Sequence, residues 1–150
     1  MTEITVHLNG TPQRLDVADD ELLLDVLRRK AGVTSAREGC GVGACGACTV
    51  LAEGRSVSSC LARATRYDGV EITTADGLAE DDPVVAAFVE SDAMQCGYCI
   101  PGFVLMTKEL LAENPEPSDD QIVAHLEGNI CRCGTYPELI QAVRLAAERS

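Results

Sequence analysis

Apolar and polar residues alternate from Glu3 to Leu8, with Ile4, Val6 and Leu8 on one side. That period of two predicts a β-strand. Asn9-Gly10 is a hairpin turn signal, and residues 13–17 read as the returning strand. From about Asp19 the spacing changes. Leu23, Val26 and Leu27 recur at helical intervals, so a helix is predicted with Asp19 or Asp20 as its cap, running to about Lys30 and stopped by Gly32. Alternation returns at Thr49–Ala52 and Arg55–Ser59, a second hairpin around Glu53-Gly54, and Val70–Thr73 makes a last short strand. The first half is thus a mixed sheet with one main helix.

After about residue 75 the pattern is helical throughout. Asp82-Pro83 opens a helix near 83–91, and residues 99–113 form another, with Phe103, Met106, Leu110 and Leu111 on one side. Pro115 and Pro117 interrupt the chain. Ser118 caps a third helix near 119–127, and Pro137 stands in the first turn of a fourth that runs to about Arg149. ADGLAEDD, residues 75–82, reads as a linker, and no tandem repeat is present. The expected fold is α+β, with domains at 1–76 and 77–150.

Two domains of this size have thin cores, and such cores usually need metals, disulfides or partners. The chain has 150 residues, eight of them Cys, and no Trp. Its net charge of −12 argues against nucleic acid and against anionic membrane surfaces, both of which select clustered Lys and Arg. No apolar run approaches a membrane span. The start, MTEITVHLNG, lacks the basic and apolar regions of a signal peptide, so the expected location is the cytoplasm, where thiols stay reduced and clustered cysteines favour metal over disulfide.

The cysteines fall into two sets. Cys40, Cys45, Cys48 and Cys60 are spaced C-x4-C-x2-C with the fourth after eleven more residues. The first three match plant-type [2Fe–2S] spacing, whereas structural zinc sites generally use two C-x2-C knuckles. Gly39, Gly41, Gly43 and Gly46 surround them, letting backbone N–H groups approach the sulfurs. Cys96, Cys99, Cys131 and Cys133 form the second set, C-x2-C, a gap of 31 residues, then C-x-C. Both of its pairs stand where a helix begins, and helix N-termini favour thiolates. By spacing alone this set suits iron–sulfur or zinc.

GCGVGACGACTV with Cys60, then QCGYCIPG, then GNICRCGTYPEL, resembles in that order the small iron–sulfur subunit of the molybdenum hydroxylases, the family of xanthine dehydrogenase, aldehyde oxidoreductase and carbon monoxide dehydrogenase. The likeness spans nearly the whole chain and leaves no cysteine over. It implies a β-grasp ferredoxin-like domain followed by a four-helix domain, each with one [2Fe–2S] cluster. It implies that Gln95 hydrogen-bonds the pterin of a molybdopterin cofactor, in its cytosine dinucleotide form, held by a large partner subunit. Cys133 would lie close to the same pterin. It implies an FAD-binding medium subunit, a dimer of heterotrimers, and a relay of single electrons from molybdopterin through two clusters to a flavin or other acceptor. One departure is local: many relatives have Thr-Gly-Tyr after the C-x-C pair, and this chain has Gly134-Thr135-Tyr136.

Other residues read more plainly. Arg132 is a solvated or interface charge, and His7 and His125 are structural or surface residues. Tyr98 and Tyr136 flank the second set and are expected to shield it from water. No nucleophile–base pair, Walker loop or dinucleotide fingerprint is present. Two rivals remain at this level: a free-standing two-cluster ferredoxin, and a zinc-stabilised interaction module.

Overall fold

A computed structural model describes residues 1–150. The first half is a five-stranded mixed sheet built from β1 (Thr2–Leu8), β2 (Thr11–Val17), β3 (Thr49–Ala52), β4 (Arg55–Ser58) and β5 (Glu71–Thr73), in the order β2-β1-β5-β3-β4. β1 and β5 pair in parallel and every other neighbour is antiparallel. The Asn9-Gly10 turn has both residues at positive φ, 51° and 79°, as the twist of a tight hairpin demands. One face of the sheet is covered by α1 (Leu23–Arg29). Ile4, Val6, Val17, Leu27, Val50 and Ile72 are buried between them.

The start of α1 corrects the expectation. Neither Asp19 nor Asp20 caps it; Leu22 stands at the cap position with no side-chain hydrogen bond. The first helical N–H groups are met from afar instead, Leu23 donating to the Ala62 carbonyl at 2.7 Å and Leu24 to that of Ser59 at 3.1 Å. A cap supplied by tertiary structure leaves no local signature.

The second half packs α2 (Pro83–Glu90), α3 (Ile100–Glu113), α4 (Asp119–Leu126) and α5 (Tyr136–Glu148) around Phe88, Phe103, Leu110, Ile122, Leu139 and Val143. At α2 and α4 the caps are local and were readable. Asp82 accepts from Val84 N–H at 3.0 Å with Pro83 in the first turn. Ser118 and Gln121 close a capping box.

The two cores are separate, but the halves are joined closely. α3 lies across β3 and β4. The buried Glu109 on α3 accepts from Ser56 N–H of β4 at 2.7 Å, and His125 on α4 stands 3.2 Å from the same carboxylate. The stretch read as a linker is partly structured: a 3-10 turn at Ala75–Gly77 is tied down by Asp76, which accepts from the Ser35 hydroxyl and, at 3.2 Å, from Ser35 N–H. A further 3-10 turn at Ala64–Tyr67, not signalled by any periodicity, returns the chain to β5.

Candidate metal centres

The first cysteine loop runs from the end of α1 to β3. It is anchored at its exit by Thr49, whose hydroxyl donates to the Gly46 carbonyl at 2.7 Å, and by Ser59, whose hydroxyl donates to the Cys48 carbonyl at 2.6 Å. A Cβ at Gly39 would stand 2.6 Å from Cys45 Sγ, so a side chain there would occupy the sulfur's place. Val42 and Ala44 aim their N–H groups at Cys40 Sγ, at 3.4 and 3.2 Å. Those two donors bring the Cys40 thiol down to about 7. Cys60, on the buried floor of the same site, is pushed up to about 11 by burial and then by the neighbouring Cys48 thiol.

The second set gathers at the junction of two helices. Cys99 is the cap residue of α3, and Cys131 and Cys133 lie in the turn ahead of α5. Cys131 is buried, and burial pushes its thiol up. The Thr135 hydroxyl, 3.2 Å from Sγ, and the Thr135 N–H outweigh this and bring the thiol down to about 7. Cys99 is pushed up to about 12 by burial and by Cys131 beside it. Cys96 is held below its ordinary value first by the Tyr98 N–H and then by Cys133.

Within each set every thiol has another beside it, Cys45 next to Cys40 and Cys48 next to Cys60, then Cys133 next to Cys96 and Cys131 next to Cys99. All eight thiols are free, and no three Cys, His, Asp or Glu side chains converge on a single-ion position. A mononuclear zinc site needs four donors around one point. A [2Fe–2S] group has two irons and takes two thiolates at each, so four neighbouring sulfurs suit it.

Each site has an exposed rim. Cys40 and Val42 mark the first; Gln95, Cys96 and Arg132 mark the second. Tyr98 and Tyr136 are themselves 48% and 43% exposed, so they are struts more than lids. The Tyr98 hydroxyl donates to the Glu38 carbonyl at 2.7 Å, and Tyr136 Oη accepts from Cys131 N–H at 2.8 Å.

Between the sites the backbones touch. Ile130 N–H donates to the Cys45 carbonyl at 2.9 Å, and Ile130 is the residue before Cys131. The buried Asn129 fills the space beside Gly46 and Gly102. Arg37, three residues before Cys40, reaches into the second site and donates to the Gly97 carbonyl at 2.7 Å and the Tyr98 carbonyl at 3.1 Å. The periodicity and motif reading missed Arg37, Asn129 and Thr135. Only Thr135 had a local signal, a hydroxyl four residues after a ligand-type Cys at a helix start.

Two protein families match the chain: a 2Fe-2S iron-sulfur cluster binding domain over residues 6–79, and a [2Fe-2S] binding domain over residues 74–144. The chain is 43% identical to the nicotinate dehydrogenase small FeS subunit of Eubacterium barkeri, covering 99% of this chain and 98% of that one. It superimposes on quinoline 2-oxidoreductase from Pseudomonas putida 86 with a TM-score of 0.94 at 36% identity, covering 98% and 94% of the two chains. It also superimposes on the aldehyde oxidoreductase of Desulfovibrio desulfuricans ATCC 27774, with a TM-score of 0.95 at 40% identity. That match covers 99% of this chain but 17% of the longer one.

Proposed function

Because this chain belongs to the family of small iron–sulfur subunits of molybdenum hydroxylases, and so is an electron-transfer part of an oxidoreductase complex, we propose that it links a molybdopterin site on one partner to a flavin or other acceptor on another. The observation that carries this is the pair of four-sulfur sites, each with one exposed rim, joined back to back by the Cys45 carbonyl and Ile130 N–H.

A [2Fe–2S] group supplies one-electron storage at each site. Cys40 and Cys45 would hold one iron of the first group and Cys48 and Cys60 the other; Cys96 with Cys133, and Cys99 with Cys131, would do the same in the second. The loop N–H groups of Val42 and Ala44 offset thiolate charge at the first site, and Thr135 does so at the second. The hydrogen bond from Ile130 N–H to the Cys45 carbonyl links the two ligand sets directly, because Ile130 precedes Cys131, and electronic coupling between them is assigned to it.

Gln95 and Cys133 face the molybdopterin of a large subunit in this reading, in its cytosine dinucleotide form. Gln95 is exposed and directly precedes Cys96, as a contact to a partner-held group requires. Met94, at 55% exposure, and Ile130, at 52%, flank this rim and suit burial under that subunit. An FAD-binding medium subunit at the Cys40 rim and a dimer of heterotrimers complete the assembly, with residues 1–76 and 77–150 as its two cluster domains. The cytoplasm is the location that keeps eight thiols reduced for loading. No helix is long and apolar enough to cross a membrane.

The test is stopped-flow absorbance of cluster bleaching on substrate addition. Bleaching is expected only when the molybdopterin subunit is present. Substrate-driven bleaching of the chain alone would sink the relay assignment.

A further inference from the structure

Arg37 belongs to the first half of the chain, yet its side chain is committed to the second. One of its guanidinium nitrogens donates to the carbonyls of both Gly97 and Tyr98, the two residues between Cys96 and Cys99. The Tyr98 ring lies against the guanidinium, 5.2 Å from its centre, and the Tyr98 hydroxyl is fixed by the Glu38 carbonyl. Arg37 takes part in none of the chain's ion pairs, so no carboxylate neutralises it.

The bonded groups matter. The carbonyl of Gly97 and the N–H of Tyr98 are two ends of one peptide unit. Its oxygen accepts from Arg37, and its N–H is the donor directed at Cys96 Sγ. The next unit pairs the Tyr98 carbonyl, again accepting from Arg37, with the N–H of Cys99. A cation on the oxygen end of a peptide draws charge toward that end and makes the N–H end a stronger donor. Hydrogen bonds to ligand sulfurs favour the reduced state of an iron–sulfur group, whose extra electron resides partly on sulfur.

We infer that Arg37 is a positioning residue which raises the reduction potential of the helical [2Fe–2S] site across the junction between the halves, by polarising the two peptide units of the turn between Cys96 and Cys99. The inference rests on the two-cluster reading above. It makes the ferredoxin-like half a determinant of how readily the helical site accepts an electron.

The experiment is a redox titration of the assembled enzyme, partner subunits included, with each reduced cluster followed by its own EPR signal. R37Q keeps a donor for one carbonyl but loses the charge. R37K keeps the charge, and its single ammonium can serve both carbonyls as the one guanidinium nitrogen does. In R37Q the helical midpoint should fall by about tenfold in the exchange equilibrium between the sites, about 59 mV for a one-electron couple. The midpoint of the other site should hold, and R37K should retain most of the wild-type value. An unmoved helical midpoint in R37Q overturns the inference, as does an equal fall at both sites. A fall in R37K as large as in R37Q also overturns it, because charge would then not be the cause. Iron and sulfide content with two EPR signals in the unsubstituted protein keeps these outcomes apart from the relay reading. Loss of a signal there would sink that reading itself.

Discussion

A methyl group added at Gly102 would stand 2.4 Å from the Gly46 carbonyl oxygen and 3.1 Å from Asn129 Nδ2. Neither neighbour is a flexible tip: one is backbone in the first cysteine loop, the other a buried amide. Gly102→Ala should therefore cost about 1–3 kcal/mol, the usual penalty of overpacking a closed contact. Gly128→Ala, with nothing within 4 Å of the added Cβ, serves as the control and should melt within a degree or two of wild type. Thermal unfolding followed by circular dichroism checks both, and equal melting temperatures for the pair would refute the tight junction. Gln95 is a residue of another kind, exposed and free of internal hydrogen bonds in this chain. Gln95→Ala should leave both sites loaded, with wild-type iron and sulfide. In the assembled enzyme it should slow substrate-driven reduction of the helical site about tenfold, from a stranded partner worth about 1–3 kcal/mol. Unchanged stopped-flow rates would count against the pterin contact.

Among the elements, α2 shows how one side chain serves two purposes. Asp82 caps the helix through Val84 N–H and pairs with Lys108 of α3 at 2.5 Å. Burial alone would raise its carboxyl pKa, but the Lys108 ammonium beside it and the helix N–H groups hold it below the ordinary carboxylate value. A carboxylate depressed on folding contributes stability above its unfolded pKa, about 4, and loses it as pH falls through the folded value. Asp82→Asn keeps a capping oxygen but loses the ion pair. It should be less stable than wild type near neutral pH by about 0.5–1 kcal/mol, a figure discounted for the partial exposure of Lys108. The difference should vanish in acid as the wild-type carboxyl protonates. Denaturant melts at several pH values test this, and a gap that widens on acidification would show the sign to be wrong. The helices of the second half were legible from the sequence to within a residue or so because their start signals lie beside them in the chain, the caps Asp82 and Ser118 for α2 and α4 and a first-turn proline, Pro101 or Pro137, for α3 and α5. α1 was legible as a helix but not at its start, because its first N–H groups are met by Ser59 and Ala62.

Across the whole molecule, each half carries its own four sulfurs, and the cross-links between halves are few and specific. Cys45→Ser should remove the first EPR signal and leave the second; Cys99→Ser should do the reverse. Loss of both signals from either variant, in protein that stays folded, would overturn the separation of the sites. Loaded protein should carry about four iron and about four labile sulfide per chain. Stoichiometric zinc without sulfide would refute that.

Spacing and period along the chain determined the grouping of the cysteines into two sets, the glycine-rich wrapping of the first, and the change from a sheet-forming half to a helical one. The loop of the first set, the glycines around it and the strand and helix periods depend on residues within about a dozen positions of one another, where backbone geometry decides what can meet; the second set spans a gap of 31 residues and was legible only as two local pairs, each at a helix start. Only the tertiary structure decided that Ile130 and Cys45 join the sites and that Arg37 reaches the loop between Cys96 and Cys99. Arg37 and Gly97 are 60 residues apart. No period or local propensity encodes such a contact, because it exists only once α3 has packed across β3 and β4 and brought the two cysteine loops together.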